Sequence, residues 1–167
     1  VKFDPWNSLQ IVCGAKCALV YFRKQDTKRR RREKREGRER LRSRRDWLRL
    51  AQVACNAYIR ERDKYRACIS CGRFNNVKRN AGHYLSVGSH PELRFDERNI
   101  HVQCEACNSF LSGNVAAYRV GLIARVGQEV VDYLEGPHEP RKYTVDELRD
   151  LGKYYRLKLK SLRQVAA

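Results

Sequence analysis

The chain has 167 residues, with 36 Lys and Arg against 19 Asp and Glu, a formal charge of +17. That length fits one medium domain or a small one with extensions, and that charge makes a polyanion the expected partner. No apolar run of about 18 residues is present and no signal peptide can be read, so nucleic acid is favoured over a membrane.

The chain opens at Val1 and contains no methionine, which points to a natural start further upstream. Seven cysteines are present, four of them in two Cys-x-x-Cys pairs. In a basic chain without a secretory signal, that pattern favours thiolates held by a metal in a reducing, cytoplasmic setting over disulfides.

Residues 1–22 carry Cys13 and Cys17 in "CGAKC". They read either as half of a second zinc site with no further ligands nearby, or as two small buried residues of a short helix. Residues 23–66 follow as a basic arm and an amphipathic helix. Between Lys28 and Arg45 there are twelve basic and three acidic residues, a net +9. Lys, Arg and Glu form helix well, but only Leu41 offers anything to bury, so the segment is either a solvated linker or an arm that lies along phosphates. The arm is the favoured reading, with Arg29, Arg30, Arg31, Arg32, Lys34, Arg35, Arg38, Arg40, Arg42, Arg44 and Arg45 as its DNA contacts. From Trp47, apolar residues recur at helical spacing (Ala51, Ala54, Cys55, Tyr58, Ile59), which predicts a helix over 46–63 packed on a core.

Residues 67–114 are rich in turn formers and poor in periodicity, as expected of a segment stapled by metal. Short strands are predicted at 80–86 and 99–103, with a helix starting near Glu105. Residues 115–167 read as helical, broken near Gly127 and ended by Gly136-Pro137. Thr144 and Glu147 form a capping box that opens a last helix carrying Leu148, Leu151, Tyr155, Leu159 and Leu162. The fold class is therefore mainly α around a small zinc-stapled ββα core.

Cys68-Ile-Ser-Cys71 and Cys104-Glu-Ala-Cys107 are two knuckles that together complete a closed tetrahedral Zn2+ site, structural because no ligand position is left open. Between and beside them lie His83, Asn99, His101 and Asn108. The order His, Asn, Asn around a Cys-x-x-Cys pair resembles the HNH, or ββα-metal, endonucleases. In these, a four-cysteine zinc between hairpin and helix is frequent, notably in the phage endonuclease VII type.

A wider resemblance covers about 56–135: "NAYIRERDKYRACISCG", "AGHY", "LRFDERNIHVQCEACN", "SGN" and "YRVGLIARVGQEVVDYLE" are similar to the NinG, or Rap, family of lambdoid phages. The resemblance implies a phage- or prophage-encoded recombination endonuclease in the bacterial host. Its expected substrates are branched DNA such as Holliday junctions and D-loops. It also implies that residues 1–22 are a truncated N-terminal zinc finger. Symmetric cutting of a junction would favour a homodimer.

The chemistry needs an activated water and neutralisation of phosphoryl charge. His83 is the expected general base and Asn108 the expected oxygen ligand of a hard divalent ion, Mg2+ or Mn2+. Asn99 is expected to brace the loop or orient His83. Many HNH enzymes carry Asp or His just before the base, where this chain has Gly82. Either His83 is itself the ligand, or His101, Asp96 or Glu97 supplies it, with His101 the first choice. A non-catalytic zinc-stapled DNA- or RNA-binding module is the alternative. His90 and His138 read as surface residues.

Overall fold

A computed structural model of the chain describes residues 11–74 and 78–165. Residues 1–10, in which part of the N-terminal finger expectation falls, lie outside the described residues. The chain divides into two units, residues 1–43 and 44–167.

In the first unit, helix α1 (Ala15–Arg40) buries no residue. Acidic residues one turn away from arginines offset its charge: Asp26 pairs with Arg29 at 2.6 Å and with Arg30 at 2.8 Å, and Glu36 lies 3.7 Å from Arg32. Such i,i+3 and i,i+4 pairs each add a few tenths of a kcal/mol, roughly 0.2–0.5, to a helix without a core. The helix starts earlier than the basic run and absorbs Cys17.

The second unit begins with α2 (Arg44–Arg62), two residues longer at its start than the apolar stripe predicts. Its face of Trp47, Ala51, Ala54, Cys55, Tyr58 and Ile59 packs on the last helix, α5 (Val145–Val165), through Leu148 and Tyr155. Phe95 and Ile100 close this core from the hairpin side, and the Tyr155 hydroxyl donates to the Phe95 carbonyl at 2.9 Å. The capping box forms as predicted: the Thr144 amide donates to Glu147 Oε2 at 2.7 Å and the Glu147 amide to Thr144 Oγ1 at 3.2 Å. Thr144→Ala should lower the melting temperature by roughly 2–4 °C, read by thermal circular dichroism, through loss of one helix cap.

Strands β1 (Arg79–His83) and β2 (Ile100–Cys104) pair antiparallel, with Gly82 opposite His101 and His83 opposite Ile100. The first strand stops before Ser86 because a side chain replaces the partner strand. Asn99 accepts from the Leu85 amide at 2.8 Å and donates to the Leu85 carbonyl at 3.0 Å. The helix expected near Glu105 is instead a wide π-helical turn, Ala106–Phe110, closed by the Leu111 amide on the Ala106 carbonyl at 2.9 Å. Helices α3 (Val115–Val126) and α4 (Gln128–Glu135) follow, broken at Gly127 with φ 90°, a conformation that suits glycine. Tyr118, Leu122, Val131 and Leu134 form a second core with Ile69, Tyr84 and Leu93.

The architecture is thus mainly helical, with one two-stranded sheet and a cysteine cluster at its end. Among the described residues no helix is long and apolar enough to cross a membrane.

Candidate functional site

The four knuckle cysteines meet. Their sulfurs all lie within 4.8 Å of one another, and Cys71 Sγ is 3.9 Å from Cys104 Sγ. A tetrahedron of metal–sulfur bonds of about 2.3 Å has edges of about 3.8 Å, whereas a disulfide would bring two sulfurs to about 2 Å. The cluster therefore has the shape of a four-thiolate metal site and not of a crosslink. Backbone and side-chain N–H groups point at the sulfurs, as charged thiolates require: the Cys104 amide at Cys68 Sγ, 3.4 Å, and Asn114 Nδ2 at Cys107 Sγ, 3.6 Å. The first knuckle turns on Gly72, whose φ of +68° is left-handed. Helix α3 sits directly on that knuckle, since a Cβ at Gly121 would collide with the Ile69 carbonyl. Donor set and geometry are compatible with structural zinc. Cys13 and Cys17 face each other at 3.0 Å on an exposed helix start, and among the described residues no third ligand joins them.

His83 ends β1. Its Nε2 lies 3.1 Å from the Arg94 carbonyl, which can only accept, so Nε2 carries the proton and Nδ1 keeps its lone pair. Burial pushes its pKa below the ordinary 6.5, partly opposed by the hydrogen bond to Arg94. Arg94 is carried by the loop from residue 84 to residue 99, and Asn99 binds that loop from within. It is fully buried and also donates to the Leu93 carbonyl at 3.3 Å. Asn99 therefore holds the segment that fixes the His83 tautomer, and its amide is occupied by backbone.

Asn108 follows the cysteine-cluster residue Cys107 in the π-turn. An ideal Cβ on Gly82 would stand 3.0 Å from Asn108 Oδ1, so Asn108 packs against the backbone immediately before His83. The same Cβ would collide with Gln103 Oε1. Gln103 is fully buried in β2; its Nε2 donates to Ser70 Oγ at 2.7 Å and to the Gly113 carbonyl at 2.5 Å. Its Oε1 is buried and meets no hydrogen-bond partner among the described residues. The space beside Gly82 is thus filled by an amide arriving from the neighbouring strand. Sequence reasoning passed over Gln103. The available signal was a polar residue on a predicted strand, directly before a knuckle cysteine.

The residues expected to stand in for a Gly82 side chain make their contacts elsewhere. His101 is only 4% exposed. Its Nε2 donates to the Arg98 carbonyl at 3.1 Å and its Nδ1 accepts from Arg62 Nη2 at 3.1 Å. Arg62 also clamps Asp63 at 2.8 and 2.9 Å and donates to the Ile100 carbonyl at 2.8 Å. Burial pushes the Asp63 carboxyl up, but Arg62 and the Val102 amide outweigh it and hold it well below the usual carboxylate range. Burial likewise keeps His101 neutral, pushing its pKa down against the opposing pull of Asp63. This cluster ties the end of α2 to β2 and leaves the His101 ring no nitrogen for an ion. Asp96 is paired with Arg98 at 2.7 Å and Glu97 with Lys158 at 2.6 Å. His90 and His138, both half-buried, contact Glu92 and the Leu134 carbonyl.

The basic run lies on α1 up to Arg40, with the side chains of Arg29, Arg30 and Arg32 between 63% and 76% exposed. Arg44 is different. It belongs to α2 and donates to the Tyr143 carbonyl at 3.3 Å.

The family model described as Bacteriophage Lambda NinG protein matches residues 1–165. The protein called ninG of Escherichia phage 933W is 50% identical over 123 residues, which are 74% of this chain and 61% of that protein. Protein ninG of Escherichia phage lambda is 48% identical over 123 residues, 74% of this chain and 60% of the relative. That of Salmonella phage P22 is 47% identical over 123 residues, 74% and 61% respectively. The match thus spans about three fifths of these relatives' length. No solved structure matches. With the family model covering nearly its whole length, and half of 123 matched residues identical in the phage 933W relative, the chain belongs to the NinG family of lambdoid phages.

Proposed function

We propose that this chain is a metal-dependent, structure-specific DNA endonuclease of the HNH type. Its substrates are branched recombination intermediates, Holliday junctions and D-loops, formed by the phage in the bacterial cytoplasm. The observation that carries the reading is His83. Its Nε2–H is anchored on the Arg94 carbonyl, its pKa is lowered by burial, and the Asn108 amide oxygen packs one residue away on Gly82.

The division of labour follows from these positions. His83 Nδ1 takes the proton from the attacking water, and the Arg94 carbonyl keeps the ring from turning as it does so. Asn99 keeps Arg94 in place through the loop backbone. Asn108 offers a hard oxygen from a turn held rigid by Cys107. A hard divalent cation, Mg2+ or Mn2+, would neutralise charge on the scissile phosphate and help the 3′ oxygen depart. The four cysteines hold zinc in a purely structural role, keeping the π-turn against the hairpin.

The test is cleavage of a four-way junction beside a linear duplex of the same sequence, with zinc-loaded protein and Mg2+. Selective nicking near the branch is expected. Binding without cleavage under all divalent ions would reassign the chain to non-catalytic nucleic-acid modules.

The arm adds affinity without sequence information, because phosphate contacts position and base contacts specify. Residues 28–43 can be removed without touching α2, which starts at Arg44. Their deletion should weaken junction and duplex binding alike and flatten the salt dependence, by about 0.9 in log–log slope per lost phosphate contact. Fluorescence anisotropy at two salt concentrations reads this directly, and an unchanged slope would make the arm a passive linker.

A further inference from the structure

We propose that Gln103 supplies, through Oε1, a second protein oxygen to the divalent cation, in the place where Gly82 has no side chain. This rests on the hydrolytic reading above and goes beyond it by assigning a ligand to a residue outside the family motif.

Three observations converge. First, the orientation of the Gln103 amide is set by its surroundings. The Gly113 carbonyl can only accept, so at 2.5 Å it must face Nε2, and Oε1 is turned toward Gly82. Second, that oxygen is fully buried and no N–H or O–H among the described residues reaches it. Leaving a buried amide oxygen unpaired is costly and is seldom retained without a partner to relieve it. Third, Oε1 and Asn108 Oδ1 both crowd the one point where a Gly82 Cβ would stand. Two acceptors converging with no donor between them repel each other, and a cation of small radius relieves both at once.

Gly82 thereby gains a reason to be glycine. Any Cβ would displace the Gln103 oxygen, so the missing side chain and the orphaned amide are two halves of one arrangement. Oxygen donors select a hard cation over zinc, and two neutral amides bring no charge, so DNA phosphate should complete the shell. A competing arrangement needs no cation: the Asn108 amide could turn so that Nδ2 donates to Gln103 Oε1. The two differ in what Mn2+ does.

The experiment is a titration of Mn2+ into zinc-loaded full-length chain, with and without four-way junction. Free Mn2+ is read by electron paramagnetic resonance and the signal of junction alone is subtracted. The wild type should bind about one Mn2+ per chain, more tightly with DNA. Gln103→Met, which keeps the volume and removes the oxygen, should weaken Mn2+ at least about tenfold. Gly82→Ala should do the same by pushing Oε1 aside while Gln103 itself remains. Zinc content and melting temperature check folding, and if Gln103→Met loses zinc, Gly82→Ala carries the comparison. Loss of Mn2+ in Asn108→Ala with unchanged affinity in both other variants would overturn the Gln103 assignment and leave the hydrolytic reading standing. No Mn2+ bound by the wild type, with or without junction, would overturn both.

Discussion

Stripping zinc with a strong chelator, or replacing Cys68 or Cys107 by Ser, should unfold the hairpin and α3 and abolish DNA cleavage altogether. Binding of structural zinc by four thiolates is worth about 10–16 kcal/mol in small domains, as much as or more than the roughly 5–15 kcal/mol that holds a domain folded. The local structure has little else to fall back on. A two-stranded sheet is marginal in water, and the π-turn is a single turn. Helix α3 is seated on the first knuckle through Gly121, so loss of the knuckle also removes Ile69 from the core with Tyr118 and Leu122.

The α2–α5 pair has its own aromatic core and should persist, which makes the loss regional. Hydrogen exchange should show this as lost protection at residues 79–83 and 100–104, with α2 amides still slow. Metal analysis of purified protein should give one zinc per chain. Less than about half an equivalent with the hairpin still protected would defeat the assignment.

What could be foreseen from the residues depended on how far apart the determinants lie. The stripe of α2, the capping box at Thr144 and the two knuckles are local patterns, each set by residues within a turn or two. The fate of His101 was not local. Its ring is held by Arg62, 39 residues earlier, and by a carbonyl three residues back. Strand alternation puts His101 on one face with Gln103 but cannot say that a half-buried guanidinium waits there. Gln103 was hidden for a similar reason. Its meaning appears only once the register sets Gly82 opposite His101 and the π-turn brings Asn108 alongside. The full extent of α1 was masked by charge, because a helix with no buried residue leaves no hydrophobic period to read.

His83→Ala should lower junction cleavage by roughly 10²–10⁴-fold while folding and junction binding stay near wild type. The side chain ends a strand, and among the described residues its hydrogen bond is to a backbone carbonyl, so its removal costs packing but breaks no side-chain network. The pH profile is a sharper readout. Because burial lowers its pKa below 6.5, His83 stays unprotonated through neutral pH, so the acid limb of the rate should lie below 6.5 and vanish in His83→Ala. Asn108→Ala should cut cleavage comparably and leave the acid limb of its residual activity in place, since on the proposed mechanism it removes the cation's oxygen ligand and keeps the base.

His101→Ala separates the two positions from the buried cluster. It strips Arg62 and Asp63 of their shared neighbour, so the melting temperature should fall, yet the Mg2+ concentration for half-maximal cleavage should not move. A raised Mg2+ requirement in His101→Ala would return that residue to the metal. Full cleavage by His83→Ala and Asn108→Ala together would end the HNH reading, because that reading gives these two residues the base and the oxygen ligand.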